Sequence, residues 1–266
     1  MIEQYLRTKG VYLSQSSIKI YRSWLNQYQN YNDFVSFYEG IKDSYSQGSI
    51  QLAMRVVKGY LQYCERHGID CDSDDLRVPR AKINSHKPIS AEEYVSMLSF
   101  IHVDNAKGVR DNALVRMLYD TGARIGEICS LTKQDINFEE RSAEIWTEKT
   151  ICRRLIVWGK DTNEFLETWC ELIYSQEKIF PSTRTAERII KKYAKLAKIE
   201  KKIVPHSFRH GKAHRILDSG GSVKDVQEAL GHISPISSFR YLQFSRKKSL
   251  ELLQKYVRKT KINQHT

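Results

Sequence analysis

No stretch of eighteen consecutive apolar residues occurs in the 266-residue chain, and Met1–Gly10 has no apolar core of a signal peptide. A membrane span and a secretory leader are therefore not expected, and the chain is expected to act in the cytoplasm without touching a membrane. Cysteine is sparse: Cys64, Cys71, Cys129, Cys152 and Cys170 are odd in number and form no CxxC pair. That argues against a disulfide framework or a zinc ribbon and for reduced thiols. No internal repeat and no low-complexity tract appears, which excludes a solenoid. Clustered Asp and Glu of the kind that hold paired Mg²⁺ ions are also missing.

What is present is ordinary in amount and uneven in placement. Hydrophobic residues make up 41% and charged residues 28%, as expected for one large or two medium globular domains. The net charge of +12 suits a polyanionic partner. Residues 1–78 carry nine basic and nine acidic side chains, so the whole excess lies in 79–266.

Periodicity divides the chain further. In "SIKIYRSWLNQY" the residues Ile18, Tyr21, Trp24, Leu25 and Tyr28 share one helical face, with Lys19 and Arg22 outward. "SIQLAMRVVKGYLQYCERHG" repeats the pattern through Leu52, Val56, Tyr60 and Tyr63, and Gly68 is a natural stop. Two longer and two shorter helices are expected over 1–78. Pro79 and Pro88 bracket a polar linker, 79–88. "ISAEEY" then reads as a capped helix start, Ser90 with Glu93, and Ile89 is placed to staple onto Tyr94.

A second domain, 89–266, begins there. Helices run to Leu131, and "QDINFEERSAEIWTEKTICRRLIVW" alternates as an antiparallel meander with turns near Glu139–Ser142 and Lys149–Cys152. Helices are expected again over 161–174, 183–199, 206–218, 223–230, 237–243 and 246–259. The expected fold is mainly α with a small antiparallel sheet, an α+β chain of two domains.

The residues that could carry chemistry are scattered. "PHSFRHGKAHR" places His206, His210 and His214 at i, i+4 and i+8, with Arg209 three residues after the first. By itself this is a metal site, a basic surface or a clamp for an anion. Arg124 in "TGARIGEICS" sits where a helix begins, with Glu127 one turn later, and alone reads as a surface residue or structural ion pair. Lys149 at a hairpin tip is ordinarily just solvated. His232 closes "LGH", and Tyr241 follows nine residues later in "SSFRYLQF"; any one of fifteen tyrosines is first a packing residue.

Their order is more specific than any of the pieces. The pattern R…K…HxxR…LGH…Y, with TGxRxxE around the first arginine, resembles the tyrosine recombinase, or phage integrase, family over about residues 90–245. The resemblance implies Arg124, Lys149, His206, Arg209 and His232 as the site, Tyr241 as nucleophile and Glu127 in support. It implies double-stranded DNA as partner, a homo-tetramer on DNA, and cleavage and rejoining through a 3′-phosphotyrosyl link without metal, ATP or other cofactor. His206 and Arg209 then face the phosphate, while His210 and His214 pack or orient. The sequence departs from the family at "GKAH" after HxxRH, and in its neutral first domain, where DNA contacts would rest on Lys19, Arg22, Arg55 and Lys58. The C-terminal helix, with Leu250, Leu253 and Val257, would dock on a neighbouring protomer or cap its own domain.

The chemistry fits those residue types. Attack on a phosphodiester builds charge on its non-bridging oxygens, and two guanidiniums can hold them bidentately, always charged. Preorganised donors of this kind supply about 3–4 kcal/mol each. A tyrosine of reference pKa about 10 needs nearby cations and a proton acceptor, here His206. The departing 5′-oxygen needs a proton, which Lys149 can deliver, and His232 would bond a phosphate oxygen. A type IB topoisomerase-like enzyme and a catalytically silent DNA-binding regulator are the alternatives.

Overall fold

The computed structural model describes residues 1–71, 73, 76–79, 87–147, 152–173 and 178–231. The chain divides into two compact units, Met1–Ser85 and His86–Thr266, each with its own core.

The first unit contains four helices, α1 (Ile2–Gly10), α2 (Gln15–Tyr28), α3 (Phe34–Ile41) and α4 (Gln47–Arg66). Short hydroxylated or acidic residues start three of them. Ser14 and Ser46 accept from the amides of Ser17 and Ser49, and Asp33 forms a reciprocal box with Ser36. Leu25, Phe37, Ile41, Met54 and Val57 are fully enclosed, and Tyr28 and Tyr31 pack edge-on to Phe37. The α2 face is the expected one: Ile18, Trp24 and Leu25 are buried, with Tyr21 and Tyr28 packed beside them.

The α4 face needs one correction. Val56 is buried, and Tyr60 and Tyr63 pack against the core as expected, but Leu52 is exposed, and the buried stripe runs through Ile50, Ala53, Met54, Val56, Val57 and Cys64. The strongest apolar line of this helix is the 50–53–57–64 row, and Leu52 stands two residues, about 200°, away from Ile50 on the wheel.

The second unit is built around α6. The helices α5 (Ala91–Ser99), α6 (Ala106–Thr121) and α7 (Ile125–Ser130) precede a three-stranded antiparallel sheet, β1 (Ile136–Asn137), β2 (Ser142–Thr147) and β3 (Cys152–Val157), in that order. Then follow α8 (Lys160–Leu172), α9 (Thr183–Leu196), α10 (Pro205–Asp218) and α11 (Val223–Leu230). The expected helices at 237–243 and 246–259 lie outside the described residues. The Ser90–Glu93 box forms as the sequence predicts, with both hydrogen bonds present. Ile89 is buried in the same core as Tyr94.

Helix α6 has little amphipathicity because it is enclosed on most sides, packing on α8 and α10. Leu114, Val115, Met117 and Leu118 are fully buried, each contributing about 1.5–3 kcal/mol of hydrophobic stabilisation. Its polar residues are paired: Asp111 accepts from Arg110 at 2.7 Å and from the Tyr193 hydroxyl at 3.1 Å. The sheet packs through Ala143, Ile145 and Ile156, while Trp146, Leu155 and Val157 face outward. The β2–β3 register pairs Ile145 with Arg154 and Thr147 with Cys152.

Candidate active site

The site starts with the way α6 stops. Thr121 donates to the Met117 carbonyl and accepts from the Ala123 amide, and Gly122 caps the helix at φ 60°. Only glycine takes that conformation without strain. The approach is also close, since a Cβ on Gly122 would lie 2.8 Å from Lys212 Cβ on α10 and 2.9 Å from Leu230 Cδ2 on α11. The chain leaves this turn through Ala123 and enters α7, with Arg124 as its N-cap residue, as the sequence predicts.

Glu127 fixes Arg124 twice. One carboxylate oxygen accepts the Arg124 amide at 2.7 Å, the other its Nη1 at 2.8 Å. The first oxygen also accepts Nη2 of Arg154 at 2.9 Å. Glu127 is thus a buried carboxylate between two guanidiniums, its side chain 5% exposed. A buried charge is tolerated when it is paired and hydrogen-bonded in this way.

Arg209 comes from α10, which begins at Pro205 in the favourable first helical position. It is 4% exposed, and its fork donates Nη1 to the Gly122 carbonyl at 3.0 Å and Nη2 to the Leu230 carbonyl. Arg154 donates Nη1 to the neighbouring Ala229 carbonyl at 2.7 Å. Two guanidiniums therefore cap the C-terminal end of α11, where the helix dipole favours cations. Helix α11 ends on Gly231 at φ 62°.

Arg124, His206 and Arg209 line one cavity of about 890 Å³, with Lys191, Lys195, Lys201 and Lys202 along its walls. His206 is exposed at the start of α10, its ring 6.4 Å from that of His210. Arg124 and Glu127 also line a second cavity of about 900 Å³ over the sheet, together with Trp146 and Arg153. Three of the six expected catalytic residues, from stretches more than eighty residues apart, thus converge. Lys149, His232 and Tyr241 lie outside the described residues. His210 and His214 are half-buried, and burial lowers the His214 imidazole below its usual value, with Asp218 opposing. Burial also lowers Lys212, with the Arg215 charge adding to the effect. The unusual "GKAH" stretch is packing: Ala213 is fully enclosed, and Gly211 fits against the Ile89 carbonyl. Among the described residues no group of three or more His, Cys, Asp or Glu is placed to hold a metal ion.

The residues proposed for the first domain are differently placed. Arg22 forms a two-pronged ion pair with Glu3, at 2.8 and 2.9 Å, and Lys58 donates to the Leu76 carbonyl at 2.6 Å. Lys19 and Arg55 are exposed.

Residues 87–248 match the phage integrase family model. The chain belongs to the phage integrase family. It is by that membership a tyrosine recombinase, an enzyme class. The chain is 27% identical over 271 residues to the tyrosine recombinase XerA of Pyrococcus furiosus, covering 94% of this chain and 91% of that one. It is 26% identical to the tyrosine recombinase XerD of Vibrio cholerae, with 94% of each covered. Its fold is similar to that of a lambda integrase dimer bound to a COC′ core site, at a TM-score of 0.73 and 17% identity over 90% of this chain and 93% of that one. Among the described residues of this integrase-family chain, no helix is long and apolar enough to cross a membrane.

Arg154 is missed by sequence reasoning, which does not separate it from the adjacent Arg153. Strand alternation separates them: Ile156 points into the core, so Arg154, two residues before it, shares the inward face, while Arg153 and Leu155 point out. An arginine at a core-facing strand position is the available signal.

Proposed function

We propose that the protein is a site-specific DNA recombinase that cleaves and rejoins DNA strands through a covalent 3′-phosphotyrosyl intermediate. The observation that carries this reading is the convergence of Arg124, His206 and Arg209 on one lysine-walled cavity, with both arginines held by buried acceptors. Guanidiniums fixed before substrate arrives need no reorganisation as charge develops on the phosphate, the condition under which such donors act most strongly. Arg124 and Arg209 would bind the non-bridging oxygens, and His206, at the exposed lip, would accept the proton of Tyr241. Lys149 would protonate the departing 5′-oxygen, and His232, one residue beyond the α11 cap at Gly231, would bond a phosphate oxygen. Glu127 orients Arg124 and does not react. Neither metal nor ATP is required, because the arginines supply positive charge and the phosphotyrosyl link keeps the phosphodiester energy. Exchange between two duplexes requires four such sites, hence a homo-tetramer on DNA, with residues 1–78 and 89–266 both binding the duplex.

The test is Tyr241→Phe, incubated with duplexes recovered by covalent capture from cells. It should bind them with wild-type affinity and give no protein–DNA adduct on a denaturing gel, whereas the wild type gives one. Normal adduct from the variant would remove Tyr241 as nucleophile, and no adduct from the wild type would favour the silent regulator. Adduct without exchange between two marked duplexes would favour the topoisomerase-like alternative.

A further inference from the structure

The Arg154 side chain is 9% exposed, and it ties together three parts of the chain that do not otherwise meet in sequence. It rises from β3, the strand that pairs with β2. Its Nη2 donates to the same Glu127 oxygen that accepts the Arg124 amide, and its Nη1 donates to the Ala229 carbonyl at the end of α11. Gly231 closes over its stem: a Cβ there would lie 2.5 Å from Arg154 Cδ. Any other residue at the α11 cap would therefore displace this arginine.

We infer that Arg154 is a positioning residue for the phosphate clamp, acting through Glu127 on Arg124 and through Ala229 on the C-terminal end of α11. The inference rests on the recombinase reading given above. Without Arg154, Glu127 loses a guanidinium contact on the oxygen that accepts the Arg124 amide. Arg124 then has a partner held by one contact fewer, and the fork loses part of its aim. A lysine cannot substitute, since one ammonium does not present two parallel donors in a rigid fork. The Arg154 Nε, buried and without a hydrogen-bond partner among the described residues, fits this view. The side chain is placed by the two contacts of its Nη atoms, at the cost of leaving that donor unmade.

The experiment uses the full chain and four variants, Arg154→Lys, Arg154→Ala, Glu127→Ala and the last two combined. Single-turnover adduct formation is measured on the captured duplex and on the same duplex with a methylphosphonate at the scissile position. The methyl group removes the negative charge that Arg124 would neutralise. Arg154→Lys should bind the ordinary duplex within about twofold of wild type and melt close to it, yet form adduct at least about tenfold more slowly. On the methylphosphonate the gap should close to about threefold or less, a change that a merely structural role would not produce. Replacing the 5′-bridging oxygen by sulfur should not close it, which separates Arg154 from a proton donor. Wild-type rates on the ordinary duplex, or an equal deficit on both substrates, would overturn the inference.

Should the wild type form no adduct with any DNA, the recombinase reading fails first, and the tether is then judged from unfolding alone. Arg154→Ala, Glu127→Ala and the double variant should show a coupling of at least about fivefold in the unfolding constant. Additive effects would overturn it.

Discussion

Arg209 is held by the carbonyls of Gly122 and Leu230 while lining the same cavity as Arg124 and His206. Its role as clamp and its role as anchor cannot be separated by charge alone. Arg209→Lys should keep the positive charge and still lower the single-turnover cleavage rate by about a hundredfold, the usual size of one lost oxyanion donor. A rate within threefold of wild type, measured by adduct formation, would mean that the fork is unnecessary. His214, five residues along the same helix, makes a pH prediction. Burial depresses its folded-state pKa, with Asp218 opposing, so the unfolded chain takes up the proton at higher pH. The stability it contributes is complete above about pH 6.5 and is lost as pH falls through the lower folded value. Denaturant midpoints should therefore drop between pH 7 and pH 5, and His214→Gln should flatten part of that drop. An unaltered slope in the variant would assign the pH dependence to other groups.

At the level of elements, the turn from α6 into α7 does most to shape the site. It presents Arg124 as a helix cap, offers the Gly122 carbonyl to Arg209, and lets α10 and α11 approach within van der Waals distance. Gly122→Ala would force an L-residue to φ 60° and push a Cβ to 2.8 Å from Lys212 Cβ. It should destabilise the protein by about 1–3 kcal/mol and slow cleavage as well. Gly126 is a control four residues away: it lies inside α7, and a Cβ added there would meet nothing within 4 Å. Gly126→Ala should leave the melting temperature unchanged or raise it, by up to about 1 kcal/mol in stability. Equal effects of the two substitutions in thermal melts would show that the turn geometry does not matter. The same scale explains the misplaced Leu52 of α4. Apolar spacing narrows a helix to two or three candidate stripes, and only the neighbours, here α1, α2 and α3, choose among them.

For the whole molecule, charge is unevenly divided between the units. Residues 1–78 are electrically neutral, and the basic excess lies beyond them. Salt dependence of DNA binding follows the number of phosphates neutralised. A fragment of residues 86–266 should therefore bind at least about tenfold more weakly than the full chain yet show nearly the same slope of log affinity against log salt. A large fall in slope, measured by titration at several salt concentrations, would place ionic contacts on the first unit, where Lys19 and Arg55 are exposed.

Local sequence suffices for the element types, the helix starts and the order of the reactive residues. These depend on neighbours within about one or two turns, as at Ser90–Glu93, Asp33–Ser36 and the αL glycine after "YDT". Arg124 at the start of α7 is legible in the same way, since a glycine stop followed by a Glu three residues beyond the cap is a local signal. The wiring between those pieces is settled by packing alone. Glu127 is shared with Arg154, 27 residues on, and Arg154 reaches Ala229, 75 residues further, while Arg209 spans from Gly122 to Leu230. No periodicity records such partners. They are chosen because burial leaves each guanidinium and carbonyl with a desolvation cost that only the groups packing has brought alongside can offset.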